Sequence, residues 1–305
     1  MKRRDFIAST LAGGLLISAT PQSAFSATRK KKLRVAHITD MHIKPEPIPK
    51  EGIKKLLQAL DSLKDKPDFV INTGDNVWDS LKHSKEATLE QWTSWNDYFR
   101  SQLNYPLYNC LGNHDVWGWN LEDTEVKNDP EYGKVLGMKM LGLKNSYYSF
   151  KAGNWHFIML DSLSYKEGGG YFGKLGDEQF AWLEKELQQI PPDQPVCVAS
   201  HIPVLSPAAL FGGKKDDQNW MVSVSIMHDD AREIKDLFYK HPNVKLALSG
   251  HLHLCDQVQY LQVGYTCNGA VSGGWWKGNH QEFGPAYALI DLYDDGTFSC
   301  QQIFI

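Results

Sequence analysis

Apolar runs of strand length alternate along this chain with longer segments in which apolar residues recur at helical spacing, the pattern of a layered α/β protein. Leu33 to Thr39 predicts a first strand. From Gly52 to Leu63, residues Ile53, Leu56, Leu57, Leu60 and Leu63 share one helical stripe, and Phe69 to Thr73 predicts a second strand. The alternation repeats, with a helix over Thr88 to Leu103 and a strand over Pro106 to Leu111. Residues 116 to 146, with Trp117, Trp119 and several glycines, are less periodic and predict an insertion with a short helix that overhangs a site. Tyr147 to Phe150 and Trp155 to Leu160 predict a hairpin. Asp177 to Leu187 predicts a helix, Val196 to Ser200 a strand, Asp229 to Tyr239 a helix and Val244 to Leu248 a strand. Short strands are expected around Val258, over Tyr287 to Leu292 and over Phe298 to Phe304.

Composition narrows the class: 305 residues that are 42% hydrophobic and 22% charged describe a globular protein. A formal charge of −4 gives no sign of a nucleic-acid polymer or an anionic membrane as main partner. Residues 1–27 read as an export signal, with Lys2, Arg3 and Arg4 before a mildly apolar stretch from Phe6 to Ala19 and small residues around Ala24-Phe25-Ser26. That stretch is too short and too rich in Gly and Ser to span a bilayer. Arg3-Arg4-Asp5-Phe6-Ile7 resembles a twin-arginine signal, although Lys2 stands where that motif usually has Ser or Thr. The expectation is therefore a periplasmic or secreted protein, with the twin-arginine machinery a partner during translocation. Residues 28–305 are expected to form one domain with insertion loops near 116–146 and 202–228. The five cysteines include no Cys-x-x-Cys; Cys267 and Cys300 could pair in an oxidising compartment, which the sequence leaves open.

Five predicted strands end in residues that bind metals or polarise phosphate. Asp40-Met41-His42 follows the first, Gly74-Asp75-Asn76 the second, Gly112-Asn113-His114-Asp115 the third, and Ser200-His201 and Gly250-His251-Leu252-His253 two later ones. One Asp or Asn at a strand end is ordinarily a turn former or helix cap, and one His an ordinary hydrogen-bonded residue. Five such endings together are hard to obtain from turn chemistry, and in an open α/β sheet ligands gather beyond the carboxyl ends of the strands. His37 and His156 lie within strands and read as core residues or supports. His83, His228, His241 and His280 lie in polar or loop contexts, with only His228 and His280 placed to approach a substrate. Trp275 and Trp276, after Gly273-Gly274, read as packing or as a stacking wall for a flat group, and Trp117 and Trp119 pose the same choice.

Asp-x-His, Gly-Asp, Gly-Asn-His-Asp, a single His and Gly-His-x-His, in this order, resemble the calcineurin-like metallophosphoesterase superfamily over most of residues 33 to 292. The resemblance implies a four-layer αββα sandwich of two mixed sheets flanked by helices, with two metal ions at one edge. It implies that Asp40, His42 and His253 hold one ion, that Asn113, His201 and His251 hold the other, and that Asp75 bridges them. A carboxylate and imidazole set suits Fe, Mn or Zn. Two such ions about 4 Å apart would acidify a bridging water to a hydroxide that attacks a phosphomonoester or small phosphodiester. His114 is the candidate acid for the leaving alkoxide, with Asp115 expected to hold its tautomer and orientation. The Asn76-Val77-Trp78-Asp79 continuation lacks the Asp-Arg-Gly of serine/threonine protein phosphatases, and Trp78 stands where purple acid phosphatases carry a tyrosinate. The competing reading is a non-catalytic binding protein on the same fold, recognising a cell-surface glycan or lipid headgroup.

Overall fold

The computed structural model of the protein describes residues 29–305, so the expected export signal at residues 1–27 lies outside the described residues. In chain order its elements begin with β1 (Lys31–Ile38), α1 (Pro47–Ser62), β2 (Phe69–Asn72), α2 (Lys85–Tyr98) and β3 (Leu107–Asn109). The insertion carries α3 (Thr124–Lys127) and α4 (Lys134–Leu141), and leads into β4 (Tyr148–Ala152) and β5 (Trp155–Met159). There follow β6 (Leu163–Tyr165), β7 (Tyr171–Gly173), α5 (Asp177–Gln189), β8 (Val196–Ala199), α6 (Ala209–Gly212), β9 (Lys214–Lys215) and β10 (Trp220–Met221). The chain closes with α7 (Ala231–Lys240), β11 (Val244–Ser249), β12 (Asp256–Tyr260), β13 (Val263–Cys267), β14 (Ala286–Tyr293) and β15 (Phe298–Phe304).

Two mixed sheets dominate. One has the order β15-β14-β1-β2-β3 and the other β12-β13-β11-β8-β5-β4, while β6-β7 and β9-β10 are small separate hairpins. Alternation of side chains along each strand decides which layer each residue joins. In β2, Phe69 and Ile71 enter the core between the sheets, while Val70 faces α1 and α2. In β8, Cys197 and Ala199 enter that central core, while Val196 and Val198 face the layer of α5 and α7. The result is the αββα sandwich: α1 and α2 on one outer face, two sheets packed through Val35, Phe69, Phe157, Leu246 and Ile290, and α5 and α7 on the other. Because strands buried on both faces read as continuous apolar runs, the interior strands were the easiest to place.

One buried strand and two small hairpins were not expected. β13 is fully buried beside β11, yet Gly264 interrupts its run, and a side chain there would meet the Phe298 ring at 2.3 Å. The neighbour that requires glycine is remote in sequence, so the pattern around residue 264 carries no trace of it. Trp119 is buried with Leu111, Val116, Leu163 and Ile202, and Trp117 is buried with its indole N–H donating to His83 O at 3.1 Å, which makes both packing residues. All five cysteines are free. Cys267 in β13 and Cys300 in β15 lie in different sheets, and their thiols donate instead to Gly250 O and Asn268 Oδ1.

Candidate metal centre

β1, β2 and β3 run parallel, so the turns that follow them open at one edge, where the turns after β8 and β11 meet them from the other sheet. These turns are sharp. Asp40, His42, Asp75, His251 and His253 all have positive φ, between 43° and 70°. Residues other than glycine seldom adopt this conformation, and each such residue costs on the order of 1–3 kcal/mol. The motif glycines let the turns touch. A side chain at Gly112 would lie 2.0 Å from Asp75 N, and one at Gly250 would lie 1.9 Å from Thr39 Oγ1 and 2.5 Å from Asp40 Oδ2.

All seven residues expected as ligands meet at this edge, and all but His251 are buried almost completely. Three groups of donor atoms lie close enough to share an ion: Asp40, His42 and His253; Asp75, His201 and His251; and His42, Asp75 and His114. Asp75 stands between the first two groups, with Oδ2 3.6 Å from His42 Nε2 and 3.3 Å from His201 Nε2. Asn113 Oδ1 completes the second group at 3.0 Å from His201 Nε2. On the other side, His42 Nε2 and His253 Nε2 approach to 3.0 Å, and Asp40 Oδ1 lies 3.4 Å from His253 Nε2.

The hydrogen bonds behind the ligands test whether a cation fits. His201 Nδ1 donates to Thr73 O at 2.8 Å, and His251 Nε2 donates to Ser225 O at 2.8 Å. In its neutral form each ring turns a lone pair inward, and these inward atoms, His201 Nε2 and His251 Nδ1, are 3.1 Å apart. Two lone pairs at that distance repel unless a proton or metal ion sits between them. His253 Nδ1 likewise bonds Gly273 O, leaving its Nε2 inward, while Asp40 Oδ1 is buried without a hydrogen-bond partner. Lone pairs and an orphaned carboxylate oxygen converging in a buried space fit cations.

The charges agree. Burial opposes ionisation of Asp75, but the adjacent His201 imidazole outweighs it and holds the carboxyl well below the usual range. Burial likewise opposes charge on His201, yet the Asp75 carboxylate raises that imidazole to about 9. Asp40 also stays below its ordinary value, with His253 offsetting the burial penalty. Burial, reinforced by His201, lowers His251 to about 4, and burial with the neighbouring His114 lowers His42 well below 6.5. Asp40 and Asp75 are thus ionised and His42 and His251 neutral, the state in which metal ligands are competent, whereas His201 carries a proton paired with Asp75 that a cation in that place would displace.

His114 is half-buried; its ring is 4.7 Å from that of His42, and its backbone N–H donates to Asp75 Oδ1 at 2.8 Å. The expected support from Asp115 requires correction. The Asp115 carboxylate is filled by Asn76 N at 2.8 Å, Asn76 Nδ2 at 2.9 Å and Gly112 N at 2.9 Å, so it braces the Gly-Asp and Gly-Asn turns against each other. Residues 113–115 form a 3₁₀ turn, in which consecutive side chains splay by about 120°, and His114 and Asp115 therefore face different ways. The carboxylate nearest the His114 ring is Asp79, whose Oδ1 lies 3.9 Å from Nδ1.

The remaining histidines divide. His37 is a buried support, bonded to Thr73 Oγ1 and Asn268, and His156 pairs with Glu186 at 3.0 Å. His228 is buried against Asp230 at 2.9 Å, whereas His280 borders the site, 5.9 Å from His253 between ring centres. Trp275 stacks on His253 with ring centres 4.1 Å apart, and Trp276 donates its indole N–H to the carbonyls of Met41 and His42 at 2.9 and 3.1 Å. Sequence reasoning missed the carbonyls of Thr73, Ser225 and Gly273 that orient the imidazoles. A backbone carbonyl exists at every position, so no residue type could have flagged them.

Comparison with known proteins agrees with this geometry. The family model described as calcineurin-like phosphoesterase matches residues 33–255. A protein of Nostoc sp. named 3′,5′-cyclic-nucleotide phosphodiesterase is 27% identical over 282 residues, covering 88% of this chain and 91% of the relative. A protein of Arcobacter nitrofigilis named probable glycerophosphodiester phosphodiesterase is 29% identical, covering 72% and 71%. Among solved structures, a dimetal phosphatase from Danio rerio superposes with a TM-score of 0.62 at 12% identity, covering 90% of this chain and 99% of that one, which is a likeness of fold.

Proposed function

The chain belongs to the calcineurin-like phosphoesterase family, a hydrolase of phosphoric ester bonds, and from this premise we propose a binuclear phosphoesterase acting on a small phosphodiester or phosphomonoester. The observation that carries the proposal is Asp75, whose one oxygen lies 3.6 Å from a histidine of the first ligand group and 3.3 Å from one of the second. In this reading Asp40, His42 and His253 hold one ion, Asn113, His201 and His251 hold the other, and Asp75 is shared. The mixed oxygen and nitrogen donors favour Fe, Mn or Zn. When bound, the ions supply Lewis acidity toward phosphoryl oxygens and a hydroxide nucleophile near neutral pH. The chain's own part is to hold that chemistry still: carbonyls of Thr73, Ser225 and Gly273 fix the imidazole tautomers, and Asp115 ties two ligand turns together. His114, at the open side of the cluster, delivers a proton to the leaving oxygen. Names of relatives as phosphodiesterases favour a diester, and no observation favours a non-catalytic binding protein.

Metal analysis together with turnover of bis-p-nitrophenyl phosphate and p-nitrophenyl phosphate tests the reading: about two metal equivalents and hydrolysis of either ester are expected, and a metal-free, inactive protein would defeat it. The proposal extends to residues 28–305 as one catalytic domain and to export through a twin-arginine signal, which the Arg3-Arg4 pair supports. Mature enzyme outside the cytoplasm of cells lacking that pathway would contradict the export route.

A further inference from the structure

Two successive tryptophans, Trp275 and Trp276, hold positive φ of 53° and 64°, a strained conformation for bulky residues. Trp276 explains how the strain is borne. Its indole N–H is tied to the Met41 and His42 carbonyls, and its ring lies where a side chain at Gly52 would stand, 2.0 Å from the nearest ring carbon. So anchored, it displays Trp275, half-buried, over the metal edge. One face of Trp275 is stacked on His253 at 4.1 Å, and Trp78 has Lys44 over its ring at 4.1 Å. The rest of both indoles lines a cleft of about 270 Å³, with Asp79, Lys82, His114 and Lys277 completing the lining. The cleft therefore holds the proton donor assigned to the leaving oxygen, two aromatic surfaces and two exposed cations, of which Lys82 is paired with Asp79 at 3.6 Å.

We infer that this cleft is a leaving-group subsite that selects phosphoesters whose alcohol carries a flat aromatic ring, with Trp78 and Trp275 as the specificity-determining residues and Lys82 and Lys277 drawing in the anion. The inference rests on the hydrolase reading above and deepens it. It separates the chemistries in the names of the relatives, since a nucleoside offers a ring and a glycerol ester does not. A ring system fits the volume, and stacking on an indole favours a base over a bare sugar by about tenfold or more. A site that selected polyols would line the same space with hydrogen-bonding amides and hydroxyls.

The test is calorimetric binding to the metal-loaded protein of a matched pair: the methylene phosphonate analogues of adenosine 5′-monophosphate and ribose 5-phosphate. Both keep the dianion and neither has an ester to cleave, so turnover plays no part. The native protein should bind the adenosine analogue about tenfold more tightly. Trp78→Ala and Trp275→Leu should each bring that ratio to within about twofold, while Trp78→Phe, which retains an aromatic face, should keep most of it. Metal content, measured on each variant, separates loss of the subsite from loss of the centre. Equal affinities in the native protein, or a ratio that neither variant changes, would overturn the inference. A preserved ratio in a protein that hydrolyses no phosphoester would support the subsite while defeating the hydrolase.

Discussion

Positive φ at Asp40, His42, Asp75, His251 and His253 concentrates strain on the residues that would bind metal, and at on the order of 1–3 kcal/mol each it is comparable with the whole stability of a typical domain. The turns keep this conformation because glycine contacts and buried hydrogen bonds leave them no alternative. Asp75→Asn should therefore fold, yet lose metal from both groups and reduce kcat/KM by more than about 100-fold, beyond the loss typical of an outer support. His114→Ala should keep its metal and lose about 10²–10⁴-fold in turnover of an unactivated ester. Metal analysis beside kinetics separates the two, and full activity in the Asp75 variant would end its shared role. His37 makes a prediction about stability. Burial, outweighing the nearby Asp40 charge, lowers its imidazole from 6.5 to about 3. The unfolded chain takes up this proton below about pH 6.5 and the folded chain does not, so the residue lowers stability by up to about 1.4 kcal/mol for each unit of acidification down to about pH 3. In thermal melts between pH 7 and 5, His37→Gln should lose less stability than the native protein, and parallel slopes would refute the assignment. The candidate ligand residues were legible because acid, amide and imidazole recur at strand ends; the position of Asp115 was not, because a 3₁₀ turn decides where neighbours point.

Elements were legible where burial imposes a period. β1, β2, β5, β8 and β11 lie within a residue or two of their expected places, since both faces of each are covered. Helix starts were less so: α1 begins at Pro47, five residues before the expected Gly52, because its first turn carries Pro-Ile-Pro and no apolar stripe. β13 was invisible because Gly264 answers to Phe298 rather than to its own strand. The turn after β11 gives the sharpest element-level prediction. A methyl group at Gly250 would overlap Thr39 Oγ1 and Asp40 Oδ2, and Asp40 Oδ2 accepts from His251 N at 2.8 Å. Gly250→Ala should therefore part the first and last ligand turns, with at least about tenfold weaker metal binding and an unchanged helical circular dichroism signal. Native-like metal affinity in that variant would show that the turns have room to spare.

Across the whole molecule the centre is a clasp. Asp40, His42, Asp75 and Asn113 follow strands of one sheet, and His201, His251 and His253 follow strands of the other. An ion held by both would bind only the folded arrangement, so stripping it with a chelator should cost about 2.7 kcal/mol if free metal stands at a hundred times its dissociation constant. For a chain of this size that corresponds to a fall of about 4–5 °C in Tm, reversed by adding metal back. An unchanged Tm after verified removal would show that the sheets hold the ligand turns unaided. The linear pattern by itself determined the layered α/β class and the interior strands, and it marked the strand ends where the seven candidate ligands gather, because burial on two faces and the demand for donor atoms both act on residue type. Only the tertiary structure decided which imidazole nitrogen turns inward, which carboxylate braces and which faces the cleft, and which tryptophan anchors and which is displayed. Those outcomes depend on torsion angles and on contacts between residues more than two hundred positions apart, as between Trp276 and Met41.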